Sequence, residues 1–270
     1  MAKIHIHTKY SLLDSIIEPE ELVKKVNILI NILIKEQDGD KAALCVTEHG
    51  NVYSNVEVYK LCKKYGVKYL YGCEMYICED VNIKDKSSKY NHLVVIAKNE
   101  TGRLNLNKLI SESCKYKYYG KPRIDFNLLN KYKDGLVILS ACMAGEVQRA
   151  LMANDKKLAK NIIKKYVNMF GDDYYLEYQS HSEPTQQSLN RQIVDLANEL
   201  NVKYATNILV VILSLIVGVA GTGVYYVLFS IEFNAINIVC MPLMGLATAV
   251  GSMVGYDKVI QTIEQLKNKF

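Results

Sequence analysis

The sequence predicts an α/β fold over residues 1–207, and three observations predict it. Short apolar runs of strand length alternate with longer amphipathic stretches of helical period. Residues of metal-ligating type recur where the apolar runs end, at Glu48, His49, Glu74 and Cys142. Helix-start and helix-stop residues punctuate the alternation, Pro19 and Gly66 among them. Strands that alternate with helices imply a parallel sheet with right-handed crossovers. It is either an open doubly wound sheet or a closed barrel.

Taken in order, Lys3 to His7 reads as a short strand in which Ile4 and Ile6 point one way and His5 and His7 the other. Two imidazoles about 7 Å apart on one face, with Asp14 following the turn, offer three ligands to a metal. The plain alternative is an amphipathic strand with a solvated polar face. Glu18 to Ile34 reads as a helix, with Pro19 in its first turn and Glu20 and Glu21 at its positive end. Gln37 to Asp40 is a loop, and Ala42 to Val46 a buried strand ending on Thr47-Glu48-His49-Gly50. A helix follows to Tyr65, stopped by Gly66. Val67 to Leu70 is a strand that runs into Gly72-Cys73-Glu74.

The alternation continues with the strand His92 to Ala97, the helix Leu104 to Ser113, the strand Gly135 to Cys142 and the helix Gly145 to Met152. A charged helix spans Lys156 to Phe170, and Tyr174 to Tyr178 is a strand. The helix Thr185 to Leu200 then feeds the strand Val202 to Thr206.

Composition narrows the function. The net charge of +5 permits a nucleic-acid partner without requiring one. Seven cysteines with no Cys-x-x-Cys pair read as reduced cytosolic thiols, not a disulfide framework. The N-terminus lacks the apolar core of a signal peptide. No Gly-x-Gly-x-x-Gly follows the first strand and no Gly-Lys-Ser/Thr occurs, so neither a dinucleotide fold nor a P-loop has support.

Three of the five histidines (His5, His7 and His49) lie beside carboxylates at strand starts or ends, and His92 opens a strand. Such His and Asp/Glu clusters suit zinc, manganese or iron better than calcium. Several ions held this way activate a water and clamp a phosphate. Singly, each residue has a duller explanation: His49 as a strand cap, Glu74 as a surface acid, Cys142 as a small buried hydrophobe. Cys73 reads as packing and His181 as solvated.

The run His5-x-His7-Thr8-x-Tyr10-Ser11-Leu12-Leu13-Asp14 resembles the opening of the polymerase-and-histidinol-phosphatase (PHP) domain, in the version carried by the bacterial DNA polymerase III alpha subunit. Thr47 to Asn51 and Gly72-Cys73-Glu74 resemble that family's second and third motifs, and His92 to Gly102 and Leu139 to Glu146 match further stretches. Pro122 to Asp125 and Phe170 to Asp173 fit as well, so the resemblance spans residues 3–207. It implies a distorted seven-stranded (β/α)7 barrel with metals at the strand ends. Carried over position by position, the ligands are His5, His7, Asp14, His49, Glu74, His92 and Cys142. The implied cofactors are divalent ions, zinc or manganese first and magnesium or iron as alternatives. The implied partners are a DNA 3′ end and replication proteins, with scaffold or 3′–5′ exonuclease roles in the cytoplasm.

Two departures stand out. Glu48 replaces the family's usual Asp. After Ala205-Thr206-Asn207 the chain reads Ile208-Leu209-Val210 where the family has Asp-x-His, which leaves the cluster incomplete. No paired aspartates for nucleotidyl transfer follow residue 207. The alternatives are a catalytically inactive, membrane-tethered interaction module and a phosphatase for small phosphoesters. The tail is a separate domain of 208–257, with a short charged stretch at 258–270. Residues 208–229 and 236–255 carry no charge over 22 and 20 residues, enough for a transmembrane hairpin. Lys203 before it and Lys258, Lys267 and Lys269 after it put both ends in the cytoplasm. Ala247, Gly251 and Gly255 recur every four residues and suit close helix packing.

Overall fold

The computed structural model describes residues 2–3, 5–34, 43–85, 89–179 and 184–205, together with 219–223, 225–229, 231–232, 234, 237–238 and 240–244. The strands are β1 (Ala2–Lys3), β2 (Ala43–Val46), β3 (Lys68–Cys78), β4 (Tyr90–Ala97), β5 (Arg123–Ile124), β6 (Leu136–Leu139), β7 (Tyr174–Glu177) and β8 (Tyr204–Ala205). Between them run α1 (Pro19–Ile34), α2 (Asn55–Tyr65), α3 (Glu100–Ser113), α4 (Phe126–Lys131), α5 (Glu146–Met152), α6 (Lys156–Phe170) and α7 (Pro184–Leu200). The local signals act as expected: Gly66 ends α2 in the left-handed conformation, and the Asn99, Asp125 and Asp155 side chains cap α3, α4 and α6.

The sheet order is β1-β2-β3-β4-β6-β7-β8, with β5 added beside β3. This is an α/β half-barrel whose main path holds seven strands, as the distorted (β/α)7 expectation has it, while the expected parallel sheet is instead mixed. β4 runs antiparallel to both β3 and β6, and among the described residues β1 and β8 do not pair to close the ring. The cause lies in the connection: β3 continues to Cys78, and among the described residues no helix separates it from Tyr90 on the antiparallel β4.

Side-chain alternation sorts the strands into two faces. Cys73, Met75, Ile77, Leu93 and Val95 join the large core under α3 and α5–α7. Leu44 and Val46 pack with Val23, Val26 and Val58 under α1 and α2. The opposite face carries Cys45, Val94, Ile96 and Leu139 as a smaller inner core. Glu74, Tyr76 and His92 share that inner face by register, since Glu74 pairs with Val94 and Tyr76 with His92. The site is therefore rooted in the concave face of the half-barrel.

The contacts divide the chain into two units, residues 1–178 with 189–205, and residues 179–188 with 206–270. Among the described residues no helix is long and apolar enough to cross a membrane. The uncharged runs 208–229 and 236–255, including Gly251 and Gly255, lie largely outside the described residues, as does His181. Within the described pieces of the tail, Val227, Leu228, Phe229 and Leu243 are exposed.

Candidate metal centre

Strand pairing assembles the site. The β2–β3 ladder continues past β2, because Glu74 donates its N–H to the Glu48 carbonyl and Gly50 donates its own to the Glu74 carbonyl. His49 is thereby bridged to Glu74. Thr47 N–H bonds the Ile6 carbonyl, which brings the His5–His7 segment alongside. The expected strand Lys3–His7 is shorter than read, since β1 ends at Lys3. The alternation persists even so: Ile6 packs against the α1–α2 core while His5 and His7 turn toward Glu74.

Four imidazoles surround one buried carboxylate. Glu74 lies 2.6 Å from His49 Nδ1, 3.0 Å from His92 Nδ1, 3.2 Å from His5 Nε2 and 3.7 Å from His7 Nε2. Asp14 joins at the mouth, 3.0 Å from His49 Nε2 and 4.0 Å from His7 Nδ1. Cys142 Sγ stands 3.6 Å from His92 Nδ1 and 3.8 Å from Glu74 Oε1. All seven sequence-derived positions thus lie around one point. Two of the positions outside the regular strands, Asp14 and Cys142, each follow a non-glycine residue in the left-handed region, Leu13 at φ 66° and Ala141 at φ 63°. Such strain marks a segment held in place by its surroundings.

Two further carboxylates are buried here. Glu177, at the end of β7, accepts a hydrogen bond from His5 Nδ1 at 2.5 Å. The sequence reading missed it, because it lies 172 residues from His5 in a strand with no histidine or motif of its own. Glu48 is fully buried and turned away from the histidines, bonded to Thr8 N–H at 3.2 Å and to the Thr8 and Ser11 hydroxyls.

The electrostatics are those of a tight charge cluster. Burial pushes the Glu74 carboxyl upward, but hydrogen bonds from His49, His5 and His92 more than reverse this and hold it well below the usual carboxylate range. Burial opposes protonation of His5, and Glu177 and Glu74 overcome it, so its pKa is raised. His7 is pushed down to about 4 by burial and by neighbouring His5. Burial likewise opposes the His49 cation, yet Glu74 and Asp14 raise its pKa. Burial and then Glu74 push the Cys142 thiol up to about 11.

The donor set fits a group of cations. Three triads (His5, His7, Glu74; His7, Asp14, His49; His49, Glu74, His92) each place one ligand atom per residue within 4.8 Å of the others. The triads share His7, His49 and Glu74, so they are overlapping choices of ligand within one cluster. Glu74 Oε2 and His49 Nδ1 are both buried and lack a hydrogen bond of normal geometry, although they face each other at 2.6 Å. Both atoms are of metal-ligating type, and a divalent ion held by the two residues would satisfy them once the side chains part from this contact. The expected gap at Ile208-Leu209-Val210 lies outside the described residues.

Comparison with known proteins agrees with the motifs. The family model of the PHP domain matches residues 3–181. DNA polymerase III subunit alpha of Aquifex aeolicus is 38% identical over 209 residues, which cover 74% of this chain and 17% of the relative. The corresponding subunit of Borreliella burgdorferi is 34% identical over 203 residues, again 74% and 17%. The chain therefore spans about a sixth of the length of these relatives. Among solved structures, an amidohydrolase from Chromobacterium violaceum superposes with a TM-score of 0.45 at 11% identity, covering 75% of this chain and 84% of that one.

Proposed function

The chain belongs to the PHP domain family, homologous to DNA polymerase III subunit alpha, and from that premise we propose that its histidine–carboxylate cluster is a divalent-metal centre for phosphoester hydrolysis. The observation that carries the reading is the convergence of His5, His7, His49 and His92 on the single buried carboxylate of Glu74. His5, His7, Asp14, His49, Glu74, His92 and Cys142 would hold zinc or manganese, with magnesium or iron as alternatives. Bound ions supply Lewis acidity and lower the pKa of a water there.

The protein's own groups define where a substrate would lie. A cleft of about 500 Å³ opens beside His49, lined by Lys9, Tyr10, Asn51, Tyr53, Tyr76 and Lys121 among others. Lys121, donating to the Tyr76 hydroxyl at 3.1 Å, and Lys9 offer cations to phosphate oxygens. Tyr53, three-quarters exposed, offers a face on which a base can stack. These features suit a nucleic-acid phosphate and base, and the homology to a DNA polymerase subunit adds a DNA 3′ end as proposed substrate, 3′–5′ exonuclease trimming as reaction and replication proteins in the cytoplasm as partners.

The test is metal analysis of the full chain, followed by assay on single-stranded DNA with a free 3′ end and on a phosphomonoester. Bound metal with stepwise 3′ trimming supports the reading. Turnover of the monoester alone points to a small-molecule phosphatase. The absence of both metal and hydrolysis leaves an interaction scaffold, the reading favoured by Ile208-Leu209-Val210 in place of two expected ligands. The membrane hairpin of 208–255 is proposed on its two uncharged runs, and alkaline extraction of a membrane fraction tests it: full release into the supernatant sinks it.

A further inference from the structure

Behind the candidate ligands lie hydrogen bonds that fix which ring nitrogen each of two histidines presents. His5 Nδ1 is 2.5 Å from Glu177 Oε1. A carboxylate only accepts, so the proton of that bond sits on Nδ1 and Nε2 faces the cluster. Glu177 is itself held, since its N–H donates to Ser140 Oγ at 2.8 Å and the residue is buried at the end of β7.

His7 is fixed one atom further back. Ser11 Oγ donates its single hydrogen to Glu48 Oε2. The same oxygen lies 3.0 Å from His7 Nδ1 and 3.3 Å from the His49 N–H. With its proton committed to Glu48, Ser11 can only accept from His7, so His7 also carries its proton on Nδ1. Glu48 cannot turn away, because Thr8 binds it through both N–H and hydroxyl.

The consequence appears where the two rings meet. His5 Nε2 and His7 Nε2 are 3.2 Å apart, and His5 Nε2 is 3.2 Å from Glu74 Oε1. That point needs a cation: a proton on His5 Nε2 in the metal-free chain, or a metal ion that takes its place. We infer that Glu177, and Glu48 acting through Ser11, are positioning residues that hold His5 and His7 with Nδ1 protonated and both Nε2 lone pairs aimed at one shared ion. Neither carboxylate belongs to the candidate ligand triads. This rests on the metal-centre reading and adds the layer that orients it. Partners of this kind set the tautomer and basicity of ligating imidazoles, and losing one weakens metal binding by about 10–100-fold.

The test uses the full chain loaded with Zn²⁺. Long-range ¹H–¹⁵N correlation on wild type is expected to show protonated Nδ1 and zinc-bound Nε2 at His5 and His7. Competition titration with a zinc chelator is expected to give about 10–100-fold weaker binding for Glu177→Leu and Ser11→Ala. Glu177→Gln, which keeps an acceptor oxygen, and Ser11→Thr, which keeps the hydroxyl, should recover part of the loss. Zinc on Nδ1 of either ring, or wild-type affinity in both Glu177→Leu and Ser11→Ala, overturns the inference. If a variant fails to fold, the wild-type spectrum and its conservative counterpart still decide. No zinc uptake by wild type sinks the metal-centre reading and the positioning role with it, whereas uptake with unchanged variants sinks only the positioning role.

Discussion

Glu74 and Cys142 sit in one pocket under opposite pressures. The carboxylate is buried yet kept ionised, because His49, His5 and His92 hydrogen-bond to it. Glu74→Gln removes the charge at nearly constant volume, and equilibrium dialysis should show metal affinity reduced by at least about 100-fold. The thiol has no such support, and burial with the Glu74 charge pushes it up to about 11. The thiolate is the reactive form. In metal-free protein, iodoacetamide should therefore modify exposed Cys114 first. The rate at Cys142 should rise about tenfold per pH unit between pH 7 and 10. Peptide mass spectrometry reads both, and a Cys142 rate that plateaus near neutral pH contradicts the assigned environment. At this scale the sequence was informative for the candidate ligands and silent about the groups behind them. His5, His7, His49, Glu74, His92 and Cys142 are recognisable types in recognisable motifs. Glu177 carries no local signal, since its role exists only where β7 ends beside a segment 172 residues away.

The elements hold these residues through a few close approaches. The start of α3 is locked to the chain before β6: Lys98 N–H donates to the Gly135 carbonyl at 2.8 Å, and Asn99 Oδ1 accepts from Gly102 N–H at 3.0 Å. A Cβ at Gly102 would stand 1.8 Å from the Gly135 carbonyl oxygen, a backbone atom that cannot swing aside. Gly102→Ala should destabilise by about 1–3 kcal/mol or more through forced backbone displacement. Chemical denaturation measures this, and a wild-type midpoint would refute the tight contact. Most element types were legible because their periods and caps are local. The direction of β4 was not. A reversal between β3 and β4 depends on whether 79–89 folds as a crossover or a return, and that segment has no apolar period to announce either.

For the whole molecule the proposed metal cluster would also be a clamp. Its candidate ligands come from the N-terminal segment, the end of β2, β3, β4 and the loop after β6, so a bound ion would tie together parts of the sheet that are far apart in sequence. An ion at 100 times its dissociation constant should stabilise the fold by about 2.7 kcal/mol. For a domain of this size that raises Tm by about 5–10 °C. Thermal unfolding with and without Zn²⁺ or Mn²⁺ checks it, and an unchanged Tm for both would show that the cluster does not grip the native state.

By itself the sequence determined the α/β character of residues 1–207, the family, the candidate ligands and the division of charge between the N-terminal part and the tail. These follow from composition, short-range periodicity and contiguous motifs. Tertiary structure alone decided that the sheet is a mixed half-barrel, that Glu48 faces away from the cluster, and that Glu177 and Ser11 stand behind His5 and His7. Each of these depends on which strands become neighbours. Neighbourhood across a sheet is fixed by long-range burial and backbone pairing, which no local pattern of residues encodes.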